Sequence, residues 1–244
     1  MTSMSATPTV VLIHGAFADA SSWSAVHAQL KDEYTVLAPP NPLRGVESDA
    51  AYTRSVLDQI DGPVVLVGHS YGGAVITLAG THERVVGLVY VAAYALDEGE
   101  SLGELQGRFP DSALAANLKF APFPIAGSEP GTDVSVDPAA FPEVFAADVP
   151  RAQTEFLAVS QRPLAASAFE EPASAAAWKS KPSWGIVPTA DTTINPDVHR
   201  FGFERAGMTV REVEGASHAV ALSQPEVVAD VIREAVRAVV PVAA

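Results

Sequence analysis

Gly68-His69-Ser70-Tyr71-Gly72 places a serine between two glycines, directly after the apolar run at 63–67 and at the head of the small-residue stretch that follows. A serine held where a buried strand stops and a helix begins is suited to nucleophilic attack. The tight strand–turn–helix forces it into strained backbone angles and lifts its oxygen above the sheet edge, where the helix N-terminus adds positive potential. The neighbouring chain then comes so close that side chains at 68 and 72 would collide, which suits glycine at both. The five-residue pattern is short enough to arise by chance. A plain alternative is a glycine-rich turn in which Ser70 only caps a helix.

A serine hydroxyl needs a base. Of the six histidines, His218 stands in "VEGASHAVALSQPE", after the last expected strand and before the last helix. That loop opens at the same sheet edge as Ser70. His27 and His199 fall within helical segments and His82 near a helix end, where solvated or capping roles suit them better. His69 adjoins Ser70, but its side chain should point elsewhere. The base needs an orienting carboxylate. Asp191, in "GIVPTADTTINP", follows a strand directly and so lies at that edge; Asp97, after "LVYVAAYAL", is the runner-up. The ordinary counterparts are a turn aspartate and a satisfied loop histidine. A tetrahedral intermediate would need donors where negative charge develops. The backbone N–H groups of Tyr71, after the serine, and Ala16, after the first strand, are the natural pair, with Gly15 permitting close backbone approach.

These positions require a particular scaffold. Short β-branched runs at 9–13, 34–38, 63–67, 85–93, 183–187 and 209–213 read as strands, most of them apolar throughout, as in a parallel sheet covered on both faces. Segments 21–30, 48–60, 70–80, 196–206 and 225–239 read as helices, the last with Pro225 at a first helical position. The alternation predicts an α/β domain: a mostly parallel six-strand sheet, doubly wound, with helices on both faces. Residues 97–180 break the rhythm. They hold no convincing strand, many prolines, and aromatics including Phe109, Phe141, Phe145, Phe169 and Trp178. A bare loop of that length is improbable in a compact domain. The reading is a core domain of 1–96 and 181–244 and a helical cap (lid) insertion of 97–180 over the sheet edge, or else a helical subdomain with no role at the site.

Composition narrows the function. The chain has 244 residues, 48% hydrophobic, enough for one large domain with a sizeable core. A formal net charge of −14 argues against nucleic acid or an anionic membrane as main partner. With no cysteine, disulfides, thiolate metal sites and a cysteine nucleophile are excluded. No run of 18 apolar residues occurs, and "MTSMSATPTVVLIHG" lacks the basic start of a signal peptide, so a cytoplasmic protein is expected. No metal-binding pattern such as H-E-x-x-H appears.

With "LIHGAFADASSW", "GHSYGGAV", "PTADTTINP" and "GASHAVALSQPE" in place, the chain resembles the α/β-hydrolase superfamily over nearly its whole length, most weakly at 97–180. The order Ser70, Asp191, His218 matches that superfamily. Within it, the chain is similar to the small serine esterases of the plant methylesterase and hydroxynitrile lyase group and their bacterial relatives. The resemblance implies a serine carboxyl-ester hydrolase without cofactor or metal, with Ser70, Asp191 and His218 as triad and Ala16 and Tyr71 as oxyanion donors. Dehalogenases and epoxide hydrolases carry Asp where Ser70 stands. Lyase members have Thr after the first-motif His and Lys after the catalytic His, where this chain has Gly15 and Ala219. Cofactor-free perhydrolase or lyase chemistry, or a catalytically silent small-molecule receptor, remains as the alternative. The aromatic content of 97–180 predicts an apolar pocket for small to medium apolar or aromatic esters. Phe17, Tyr94 and Trp184 are candidate walls, each of which would serve equally as core. A homodimer is left open.

Overall fold

The computed structural model describes residues 7–240. The start of the N-terminal stretch used for the localisation reading, residues 1–6, lies outside them. In chain order the elements are β1 (Thr9–Ile13), α1 (Ser24–Leu30), β2 (Val36–Leu37), α2 (Val46–Leu57), β3 (Val64–His69), α3 (Tyr71–Ala79), β4 (Val85–Val91), α4 (Leu102–Gln106), β5 (Leu118–Phe123), β6 (Gly131–Val136), α5 (Phe141–Phe145), α6 (Arg151–Val159), β7 (Leu164–Ala165), β8 (Ser183–Pro188), α7 (Pro196–Arg205), β9 (Thr209–Val213), α8 (Val220–Ser223) and α9 (Pro225–Val239).

Six strands form one parallel sheet in the order β2-β1-β3-β4-β8-β9. β1 and β3 are fully buried because both sheet faces are covered, which is why they are apolar throughout. Val11 and Ile13 pack into one core layer while Val10 and Leu12 pack into the other, the period-2 alternation of a strand. α1 and α9 cover the second layer; α2 and α3 cover the first. The chain runs outward from β1 to β2 and returns to place β3 on the other side of β1. This reversal opens a crevice at the carboxyl ends of β1 and β3, the position where open α/β sheets bind ligands. Register fixes what meets there: Ile13 is paired with Gly68, so the residues after each leave the sheet side by side.

The 97–180 segment differs from the helical insertion expected. It contains a second, three-stranded antiparallel sheet, β5-β6-β7, beside the short helices α4, α5 and α6. The strands were hard to read because they are half-exposed: β5, LKFAPF, has no β-branched residue, carries a proline, and leaves four of its six residues exposed. Among the described residues, no helix is long and apolar enough to cross a membrane.

Candidate active site

Ser70 sits between β3 and α3 with φ 55° and ψ −123°, a left-handed conformation that costs free energy in any residue but glycine. A Cβ on Gly68 would lie 2.5 Å from the Gly72 carbonyl oxygen, and one on Gly72 would lie 2.5 Å from that of Ile13. Both contacts are too close for a side chain, so the two glycines are required by the packing of the turn on itself and on β1. Phe17, across the crevice, also has positive φ, 63°.

Two peptide groups at this crevice are held in the same way. The Ser70 carbonyl accepts from Gly73 N–H at 2.9 Å and from Tyr94 N–H at 3.3 Å. In a planar trans peptide the N–H points opposite to the C=O, so these bonds fix the direction of the Tyr71 N–H. The Gly15 carbonyl is gripped by His14 Nδ1 at 2.9 Å. His14 Nε2 accepts from the Asn41 N–H, also at 2.9 Å, which makes Nδ1 the donor. Burial holds His14 below the usual histidine range, consistent with that neutral tautomer. The Ala16 N–H is thereby aimed away from His14. Among the described residues neither the Ala16 nor the Tyr71 N–H is taken by a protein acceptor, whereas the Phe17 N–H is bonded to the Arg162 carbonyl at 3.0 Å. The Tyr71 phenol donates to Asp49 Oδ2 at 2.8 Å, anchoring the first turn of α3. His14, Asn41 and Asp49 were not singled out by sequence.

His218 and Asp191 meet. His218 Nδ1 lies 2.7 Å from Asp191 Oδ2, and both side chains are fully buried. Asp191 Oδ1 accepts from the Thr193 and Ile194 N–H groups at 2.8 and 2.9 Å, so the turn role and the pairing with His218 coexist. Burial by itself would raise the Asp191 carboxyl. Attraction to His218 and the hydrogen bonds from His199 and His218 outweigh it and hold the group well below the usual carboxylate range. With Nδ1 committed to Asp191, His218 Nε2 is the nitrogen left to act as base. It is buried and has no hydrogen-bond partner among the described residues, so Ser70 and His218 are not joined by one here. Such contacts commonly tighten only when substrate is bound.

Two other histidines support this pair. His69, next to Ser70 in the chain, reaches the loop that carries His218. Its Nε2 lies 2.9 Å from the His218 carbonyl, and the two rings are 4.7 Å apart. Burial, with the neighbouring His218, pushes His69 down to about 3. His199 departs from the solvated or capping role expected of it. It is fully buried, with Nε2 3.1 Å from Asp191 Oδ2 and Nδ1 3.2 Å from the Ala93 carbonyl. The signal was present in the spacing: Val198, His199, Gly202 and Phe203 form the buried face of α7. The runner-up acid Asp97 is partly exposed and paired with Lys179 at 2.5 Å, so its carboxylate is committed elsewhere.

The 97–180 segment closes over these groups. The Phe145 ring stands edge-on to His218 at 4.9 Å, its carbonyl accepts from the Ala219 N–H, and Thr193 Oγ1 donates to the Val144 carbonyl at 2.7 Å. Phe17 and Tyr94 line a small cavity with Ala16, Ser70 and Tyr71. Trp184 does not. It lies in the opposite core layer with Trp23, Val228 and Ile232, because the alternation of β8 turns it toward α9. Among the described residues no group of three or more His, Asp or Glu side chains is arranged to hold a metal ion.

The family model described as "Alpha/beta hydrolase family" matches residues 10–231, so the chain belongs to the α/β-hydrolase family. Among solved structures, polyneuridine aldehyde esterase is similar at 21% identity and a TM-score of 0.81, covering 94% of this chain and 99% of that one. A pyrethroid hydrolase from Sphingobium faniae JZ-2 is 23% identical with a TM-score of 0.72, covering 95% and 98%. An extracellular alpha/beta-hydrolase from a Paenibacillus species is 22% identical with a TM-score of 0.73, covering 93% and 98%. At these identities the likeness is one of fold. Uncharacterized proteins of Mycobacterium tuberculosis and Mycobacterium bovis are 38% identical over 79 residues, 28% of this chain; the match spans 23% of their length.

Proposed function

We propose that the protein is a serine hydrolase of carboxylic esters. The observation that carries this reading is the joint presence, at one crevice, of a strained serine, two peptide N–H groups aimed by bonds to their own carbonyls, and a buried imidazole–carboxylate pair. In this mechanism Ser70 Oγ attacks the ester carbonyl while His218 Nε2 takes its proton. The Ala16 and Tyr71 N–H groups hold the oxyanion. The tetrahedral intermediate collapses, His218 protonates the departing alcohol, and the acyl group stays on Ser70. Water, deprotonated by His218, then attacks that acyl-enzyme and releases the acid. An oxyanion donor already in position contributes about 3–4 kcal/mol to such a transition state. Residues 97–180 act as the cap, and their apolar lining suits small to medium apolar or aromatic esters. The names of the similar structures, an aldehyde esterase and a pyrethroid hydrolase, are compatible with ester chemistry here.

The test combines labelling and kinetics. A fluorophosphonate should attach to Ser70, and p-nitrophenyl acetate should give a burst of nitrophenol equal to the enzyme. Ser70→Ala should abolish both. Full esterase activity in that variant would overturn the reading.

A further inference from the structure

Two chambers share one wall: an inner one at the crevice, and an outer one within the 97–180 segment that opens to solvent. The inner chamber, against Ser70, has a volume of only about 20 Å³. That space leaves no room for a long acyl chain. The outer chamber is about 390 Å³, within the range of small-molecule sites. It lies between α4, the β5–β6 pair and the 3₁₀ turn Ala166–Phe169. Leu114 and Phe169 line both chambers. Tyr94, facing the inner one, bonds through its hydroxyl to Gln106 Oε1, facing the outer one, at 2.5 Å. The partition is therefore two apolar side chains beside one hydrogen-bonded pair. Leu114 and Phe169 both sit at the ends of short 3₁₀ turns, which are held by few backbone bonds.

The outer lining is mostly apolar: Leu114, Ala115, Leu118, Phe120, Val134 and Phe169. Its charged members are Asp111 and Glu170, both acidic, and no lysine or arginine is in the lining. We propose that this chamber is a substrate subsite for the apolar chain of an ester whose far end is uncharged or cationic, and that Leu114 and Phe169 are the gate that decides which chains reach Ser70. This rests on the serine-hydrolase reading. With the gate closed, only a short acyl group has room at the nucleophile. With the gate displaced, the chain runs through the partition into the outer chamber and the carbonyl stops beside Ser70.

The experiment compares p-nitrophenyl acetate with p-nitrophenyl octanoate in wild type, Phe169→Ala and Ala115→Trp. Phe169→Ala removes half the gate and should raise the octanoate-to-acetate ratio of kcat/KM about tenfold. Ala115→Trp fills the outer chamber from an exposed position and should lower the same ratio about tenfold. In either folded variant, equal changes for both esters would overturn the gate while leaving the hydrolase reading intact. Turnover of both esters surviving Ser70→Ala would overturn the hydrolase reading itself. The charge arm uses methyl octanoate against the monomethyl ester of suberic acid. The carboxylate-ended ester should be the poorer substrate by several-fold, and Asp111→Asn with Glu170→Gln should narrow that gap; an unaltered gap would remove the acidic rim from the proposal.

Discussion

The parallel sheet and the 97–180 segment meet at the crevice but are built on opposite terms. In the sheet, β1, β3 and the inner residues of β4 and β8 are buried on both faces, and the register leaves Ile13 beside Gly68 without slack. In the segment, strands are half-exposed, and large apolar side chains face outward: Phe120 at 65%, Phe156 at 69% and Val159 at 73% exposure. Close-packed interiors transmit small displacements, so groups that must meet to within a few tenths of an ångström belong on the sheet. Groups that only shape a pocket tolerate a looser frame. The carbonyl grips on Gly15 and Ser70 come from the sheet side; the gate residues Leu114 and Phe169 come from the segment.

If that division is right, the largest effect should follow from a change at the sheet edge that leaves packing alone. Asp191→Asn keeps shape and most hydrogen bonds but disfavours the His218 tautomer with a free Nε2. A loss of about 10³–10⁴ in kcat/KM is expected in a variant that still folds; a loss under tenfold would show that the pair is structural. Next comes stability. Leu66→Ala, in the centre of β3 and fully buried, should cost about 2–5 kcal/mol in urea unfolding. Phe120→Ser, on the segment, should stay within about 0.5 kcal/mol. Comparable costs for the two would erase the contrast.

A finer division runs within the site. His199→Phe removes one donor from Asp191 Oδ2 and should lower kcat about tenfold, the worth of one charged hydrogen bond. The carboxylate then leans more fully on His218, so the acidic limb of the kcat/KM profile should move to higher pH. His199→Gln, which retains a donor, should recover most of both. A fall in rate with a fixed pH profile would make His199 merely a core residue.

The last contrast concerns pH and stability. His69 is depressed to about 3 from 6.5 when folded. Between those values the unfolded chain binds the extra proton, so stability falls as pH falls through that window, by about 1.4 kcal/mol per unit at most. His69→Asn should give a shallower dependence of the urea midpoint from pH 6.5 downward; parallel curves would mean that His69 is not held neutral.

The sequence made some of this legible and not the rest, for physical reasons. A strand covered on both faces must be apolar at every position, so β1, β3 and β4 were readable. β2 shrank to two residues at the sheet edge, where pairing on one side is enough. β5 and β6 were missed because a strand with one face in water, and with Pro122 tolerated in it, lacks that signature. Trp184 was offered as a pocket wall from its aromatic type, but which face it takes depends on the phase of β8, and that is set by packing against α9. His199 was read as solvated or capping because it falls within a helical segment, although its own face of α7 is apolar.

The sequence alone determined the repertoire: an alternating α/β chain, a serine in a glycine-framed turn, and an acid and an imidazole each following a strand. Those are local facts, fixed by which backbone angles and burial patterns the residues tolerate. Tertiary structure alone decided the convergence. It placed a second histidine on Asp191, aimed two peptide groups through His14 and Gly73, and set Leu114 and Phe169 between two chambers. Each of those depends on contacts between residues far apart in the chain, whose relative position no local propensity encodes.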